Sequence, residues 1–370
     1  MRTRFSLTLL ALGSFFLAPR LQAALSVTDI PSGSSAALMV AKLVGPGVTV
    51  SNITFVGANN SAGTFSGGTG IIGFEDGIVL SSEAAQNVVA YLAAASLPRA
   101  RRPRLLLREV TSPSAARSLD PYVQNRLAYR LVGMVYSRCD RTITLTEGAK
   151  SDLAANFGVP AANIEVMRAN AVIDPAAESR LAVADLEIGR ETGLIVSIGR
   201  LSVEKDQLTL VEAMARLPAG QNARLVLVGD GPLRGAIEQT VARLGLGSRI
   251  TLAGFDRDPF SWLLRAELAV CCSRFEGLGN AIIEALACGT PVVSTDCPFG
   301  PREILDGGKF GGLVKVGDPT ALADAIQASL GRKPDRLALQ ARAAKYTASA
   351  AAVEFERIAA GLPMLSKSRN

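Results

Sequence analysis

The 370-residue sequence contains no histidine, a single tryptophan and only 5% aromatic residues. Without an imidazole there can be no Ser-His-Asp triad, no histidine zinc ligand and no general base of the usual neutral-pH kind. Any chemistry must come from carboxylates, cations, backbone amides or the substrate itself. Long apolar runs are also scarce. The clearest, residues 5–18, is shorter than the ~20 residues of a spanning helix. It follows Arg2 and Arg4 and precedes the small residues Ala23 and Ala24, the layout of a signal peptide over residues 1–24.

Cysteines are few and odd in number: Cys271 and Cys272 adjoin in an apolar run, and Cys139, Cys288 and Cys297 show no paired spacing. This suits buried thiols in a reducing compartment, so localisation signals conflict: the N-terminus points to export and the cysteines do not. A 48% apolar and 19% charged composition excludes a disordered or fibrous chain. The net charge of +6 is mostly scattered rather than blocked. Anionic ligands are therefore favoured and no nucleic-acid partner is expected.

Composition breaks near residue 98. Residues 21–98 hold one basic and four acidic residues, whereas 99–150 hold eleven basic and four acidic. The break reads as a junction between two kinds of sequence. Before it, residues 48–82 alternate apolar and small polar residues punctuated by Gly57, Gly63, Gly67, Gly68, Gly70, Gly73 and Gly77, the pattern of short antiparallel strands and tight turns. After it, the basic run Arg99, Arg101, Arg102, Arg104 and Arg108 could face an anionic lipid surface, or form a solvated linker.

Beyond residue 190, short apolar runs at 194–198, 224–228, 250–253, 268–272, 291–294 and 313–316 alternate with helical patterns at 207–217, 233–244, 259–265, 280–287 and 320–330. Strict alternation predicts an α/β doubly wound parallel sheet, which binds ligands beyond the carboxyl ends of its strands. The notable polar residues fall there. Gly199 and Arg200 follow the first strand, with Lys205 close behind as a second cation for a diphosphate. Gly229, Asp230 and Gly231 follow the next strand, where bare backbone could approach a ligand. In "SRFEGLGNAIIEALACGTPVVSTD", Glu276 ends a loop, Gly277, Leu278 and Gly279 offer amides, Asn280 is a suitable N-cap, and Glu284 lies one turn into the helix. Two carboxylates flanking an anion site make sense as acceptors for sugar hydroxyls.

These words, together with "SIGRLSVEKDQLTLVEA", "LVLVGDGPLR", "LAGFDRDPF" and "GGLVKVGD", closely resemble the donor half of family 4 glycosyltransferases of the GT-B fold. The resemblance implies that Arg200 and Lys205 neutralise a nucleotide diphosphate, Glu276 contacts the transferred sugar and Glu284 binds the ribose. It also implies that Phe255 and Asp256 border the nucleobase and that the amides at 277–279 reach sugar and phosphate. Upstream, "LLLREVTSPSAA" and "YSRCDRTITLTEGAKSDLAANFGVPAANIEVMRANAVID" resemble the later half of the acceptor domain, with Asn170 at the interdomain turn. Its first strands and usual histidine are missing. Residues 25–90 resemble instead the opening of the choice-of-anchor L domain of exported bacterial proteins.

The expected organisation is a signal peptide at 1–24, a β-rich anchor-like fragment at 25–98, a truncated acceptor-side domain at 99–190, a donor domain at 191–332 and terminal helices with a tail at 333–370. The implied activity is retaining transfer of a hexose or N-acetylhexosamine from a UDP-sugar to a glycan or lipid-linked acceptor in surface polysaccharide synthesis, with peripheral membrane contact. The UDP-sugar is a substrate, and neither cofactor nor metal is expected. A nucleotide-sugar-binding pseudoenzyme, an exported surface protein with a vestigial C-terminal domain and a fused reading frame stay open as alternatives. A cytosolic donor sets the cytoplasm, or the cytoplasmic face of the inner membrane, against the export signal.

Overall fold

The computed structural model describes residues 55–56, 71–73, 78–99, 102–120, 123–169, 172–173, 189–218 and 220–361. The expected signal peptide, most of the anchor-like fragment and Asn170 lie outside them.

Two six-stranded sheets organise the described residues. The first contains β1 (Phe55–Val56), β2 (Ile71–Gly73), β3 (Ile78–Ser82), β4 (Arg104–Glu109), β5 (Arg141–Thr144) and β6 (Ile164–Val166), in that spatial order. The pairs β1/β2 and β2/β3 are antiparallel, and β3 to β6 pair in parallel. The parallel crossovers are α1 (Ala84–Ala95), then α2 (Pro113–Leu119) with α3 (Val123–Tyr136), then α4 (Glu147–Phe157). Because successive strands are neighbours, right-handed crossovers bring the helices to one face. There Val88, Ala90, Val132, Tyr136 and Leu153 pack on Leu105 and Leu107. The composition break at residue 98 falls inside this architecture, between α1 and β4, rather than at a domain border: Val79, Leu80 and Ser81 pair with Leu105, Leu106 and Leu107.

The basic run is also partly turned inward. Arg102 donates to the carbonyls of Ala95 and Leu97 at 2.8 and 2.9 Å, capping the end of α1, and Arg108 is only 5% exposed. Among the described members of the run, Arg102 and Arg108 are thus engaged by the fold.

The second sheet contains β7 (Glu191–Ile198), β8 (Arg224–Val228), β9 (Ile250–Gly254), β10 (Ala266–Cys271), β11 (Val292–Thr295) and β12 (Gly312–Val314). All its pairings are parallel, in the order β9-β8-β7-β10-β11-β12. Its helices are α5 (Gln207–Arg216), α6 (Arg234–Arg243), α7 (Pro259–Arg265), α8 (Asn280–Ala287), α9 (Pro301–Ile304) and α10 (Pro319–Ser329). Clusters on both faces bury the Leu, Ile and Val runs of the central strands, which is why these segments read as continuous apolar sequence. Strand order reverses between β7 and β10, the place where doubly wound sheets open a crevice.

Two terminal helices follow, α11 (Arg336–Ala343) and α12 (Ala348–Ala360). The former packs on the second domain, while Ala348, Ala351, Phe355 and Ile358 of the latter cover Leu80, Leu106 and Ile143 on the open face of the first sheet. The chain thus crosses back from one domain to the other.

Candidate functional site at the strand-order reversal

The loop after β7 and the loop after β10 meet at the crevice. Lys205 Nζ donates to Glu276 Oε1 at 2.6 Å, and Ser273 Oγ donates to the same oxygen at 2.6 Å. Burial opposes the Lys205 ammonium, but the Glu276 carboxylate outweighs it and holds the lysine pKa above its ordinary value. The pair is held in place by a second one that sequence reasoning did not single out: Arg274 Nε donates to the buried Asp206 at 3.0 Å. Asp206 has φ +49° and also accepts from Thr209 Oγ1 at 2.9 Å. Its place before α5 was the available sequence signal.

Arg200 is exposed at the crevice mouth, 3.5 Å from Glu204, and its carbonyl accepts from Gln207 Nε2 at 2.9 Å. Glu284 sits one turn into α8 and is half-buried, with no hydrogen bond or ion pair among the described residues. Burial raises its pKa to about 7, with Lys205 pulling the other way. A carboxylate left unpaired beside a lysine is equipped to accept hydrogen bonds from hydroxyls that arrive with a ligand.

Other expected site residues have structural employment. A Cβ on Gly229 would meet the Gly199 carbonyl oxygen at 2.0 Å, and one on Gly231 would meet the Leu201 oxygen at 2.4 Å. These glycines allow the two strand-end loops to pack on each other. Asp230 accepts from the Gly231 amide at 2.7 Å in the same turn. Phe255 is 72% exposed. The Asp256 carboxylate is engaged by the Asp258 amide at 2.9 Å and Trp262 Nε1 at 2.8 Å, which fold the loop and lower its pKa. Asn280 is not the N-cap: Gly279, at φ +99°, holds that place and Asn280 is the first helical residue, exposed. Leu278 is buried.

Gly277 differs from its sequence reading. A Cβ there would lie 1.7 Å from the carbonyl oxygen of Val110, just beyond β4 in the other domain. Its missing side chain makes room for that domain. Two further contacts join the domains: Glu303 on α9 accepts from the Glu147 and Gly148 amides at 3.2 and 3.0 Å, and the Phe299 ring occupies the space beside Gly148. A carboxylate against the free amides at the start of α4 is favourably placed.

The first domain brings its own carboxyl groups to this edge. Glu83, before α1, has φ +74° and no side-chain cap bond. Burial, then Glu109 and Asp120, raise its pKa to about 7, while Arg200 from across the crevice lowers it. Glu109 is 1% exposed and accepts from Thr111 Oγ1, Tyr129 Oη and Tyr136 Oη at 2.7, 3.1 and 2.9 Å. Sequence reasoning missed both, because Glu83 lay in a segment assigned to another kind of domain.

Residues 192–332 match the family described as Glycosyl transferases group 1. The chain is 29% identical over 269 residues to N-acetylgalactosamine-N,N'-diacetylbacillosaminyl-diphospho-undecaprenol 4-alpha-N-acetylgalactosaminyltransferase of Campylobacter jejuni, a match covering 72% of this chain and 70% of that one. It is 37% identical over 144 residues to the lipopolysaccharide core biosynthesis glycosyltransferase LpsE of Rhizobium meliloti, covering 39% of this chain and only 41% of that one. Among solved structures it is similar to Anabaena HepE in complex with UDP and glucose, with TM-score 0.62, 21% identity and coverage of 76% and 78% of the two chains. It is equally similar to the sucrose-phosphate synthase of Thermosynechococcus elongatus, with TM-score 0.62, 22% identity and coverage of 77% and 73%. The α/β architecture is that of the GT-B glycosyltransferases, over residues 192–332 the chain matches the Glycosyl transferases group 1 family, and the named relatives above are glycosyltransferases.

Proposed function

We propose that the chain is a retaining glycosyltransferase that moves a sugar from a UDP-sugar to a glycan or lipid-linked acceptor. The observation that carries this reading is the grouping of Lys205, Glu276 and the unpaired Glu284 at the strand-order reversal. The diphosphate leaves with Lys205 and Arg200 as its counter-charges. An ammonium has three donors, so Lys205 can bond a phosphate oxygen while keeping Glu276. Glu276 accepts from hydroxyls of the transferred sugar and Glu284 from the ribose. Stabilising charge that develops on a leaving group, in a site already organised for it, is the main catalytic demand. Holding the acceptor on the same face of the anomeric carbon lets the departing phosphate oxygen take the acceptor's proton, without histidine.

The UDP preference is supported by the UDP-bound solved relative, and a lipid-linked acceptor by the diphospho-undecaprenol in the name of the Campylobacter protein. We place the reaction in the cytoplasm or at the cytoplasmic membrane face. All five cysteines are buried and unpaired, which favours a reducing compartment. The test is incubation of the full chain with UDP-glucose, UDP-galactose and their N-acetylated counterparts, with and without polyprenyl-diphosphate-linked sugars, reading UDP release and product anomer by NMR. An α-linked product from an α-linked donor supports the reading. Inversion, or neither release nor binding of any UDP-sugar, overturns it.

A further inference from the structure

Half of the large apolar side chains exposed among the described residues lie within one short stretch: Leu119, Val123, Leu127, Leu131 and Met134. The last four belong to α3, and their helical spacing lines them up as one stripe. The opposite face of α3 is fully committed, with Ala128, Tyr129, Val132, Val135 and Tyr136 buried against the first sheet and its helices. A crossover helix packed in this way is expected to turn polar residues outward. This one instead leaves Val123, Leu127, Leu131 and Met134 between 40 and 54% exposed.

The charge beside the stripe identifies what it fits. Residues 121–139 contain Arg126, Arg130 and Arg138 and no acidic residue. All three arginines are exposed, and none forms an ion pair among the described residues. Arg126 and Arg130 follow the same helical spacing and flank the stripe on one side. An apolar face edged by unpaired arginines is the pattern of a helix lying in a membrane interface, its apolar side chains entering the acyl boundary and its guanidinium groups meeting anionic headgroups. No described helix is long and apolar enough to cross a membrane, so contact through this face would be peripheral.

We propose that the outer face of α3 docks the protein on an anionic lipid surface. The inner face of the same helix supplies Tyr129 and Tyr136 to Glu109 at the crevice edge. Docking there fixes the first domain's side of the crevice relative to the bilayer. This surface is distinct from the basic run at 99–108, part of which is spent on the end of α1 and on the core.

The proposal is tested with the full chain and no sugar substrate, so its failure is separate from failure of the proposed transfer reaction. Co-sedimentation is measured with vesicles of phosphatidylcholine alone and with about 30% phosphatidylglycerol, for the parent, a Leu127→Glu/Leu131→Glu variant and an Arg126→Gln/Arg130→Gln variant. The parent is expected to partition about tenfold more strongly onto the anionic vesicles, with an advantage that shrinks in high salt. The leucine variant loses about tenfold on both, and the arginine variant loses the anionic preference. A thermal melt shows that each variant is folded; if the leucine variant is not, the arginine variant decides. Absence of parental binding, or binding unchanged in the folded variants and hence carried elsewhere, such as by residues 5–18, overturns the proposal. So does a concentration-dependent dimer that the variants disperse while vesicle binding is absent.

Discussion

The two sheets are wound from the same strand–helix–strand unit, yet they treat their carboxyl edges differently. In the second, strand order reverses between β7 and β10, and Lys205 and Glu276, from the loops that follow those strands, meet across the crevice. In the first, β3 to β6 lie in chain order with no reversal among the described residues, and α12 closes the face that the crossovers leave open. The second sheet makes a crevice by topology. The first supplies a wall: Val110 against Gly277, the α4 amides against Glu303, and the Glu109 carboxyl held by two tyrosines. The Lys205–Glu276 ion pair lies where the topology opens, and the hydrogen-bonded Glu109 cluster where it does not.

The contrast is sharpened most by Lys205→Ala, which removes a counter-charge from the crevice and leaves Glu276 with Ser273 as its remaining close donor. We expect transfer to fall about 10²- to 10³-fold in steady-state assays, with the fold retained. Gly277→Ala acts on the junction, since its new methyl would collide with the Val110 oxygen. Activity should fall about tenfold as the walls separate, and small-angle scattering should report a larger radius of gyration. Glu109→Ala probes the first domain alone. It deprives the buried hydroxyls of Tyr129 and Tyr136 of an acceptor, so urea unfolding should show a loss of about 1–3 kcal/mol. A large catalytic loss without that destabilisation would break the division of labour between the domains.

Glu284→Gln gives the smallest but most diagnostic effect. Burial raises the Glu284 pKa to about 7, so the native state holds a proton more tightly than the unfolded chain does. Stability from this group is therefore lost as pH rises from the ordinary carboxylate range through about 7. The glutamine variant should melt higher than the parent above pH 7, an advantage that fades in acid. UDP affinity runs the other way: the parent should weaken as pH falls below about 7 and its acceptor protonates, while the variant stays flat. Calorimetry across that range checks both signs.

The second sheet was largely legible because buried parallel strands have to be apolar throughout. The expected run at 224–228 coincides with β8, and the helix expected at 280–287 with α8. The spacing of Glu276 and Glu284 was visible for the same reason, since both sit on one loop–helix unit. Contacts spanning the chain were not legible. Gly277 owes its identity in part to Val110, and Gly148 leaves space for Phe299, partners far apart in sequence. Nor did the N-cap follow preference: backbone at φ +99° suits Gly279, and Asn280 enters the helix instead. The charge break at 98 misled for a physical reason. Net charge records what a surface meets, whereas the β3–α1–β4 unit is held by Leu80, Val88, Leu105 and Leu107, which carry none.

The most direct test of the crevice as the nucleotide site is isothermal titration of UDP into the intact chain, the Lys205→Ala variant and the Leu127→Glu/Leu131→Glu variant. The account predicts one UDP per chain, affinity reduced at least about tenfold by the loss of Lys205 and unchanged by substitutions on the outer face of α3. Equal binding by parent and Lys205→Ala, or no binding by a parent chain that melts cooperatively, would contradict it.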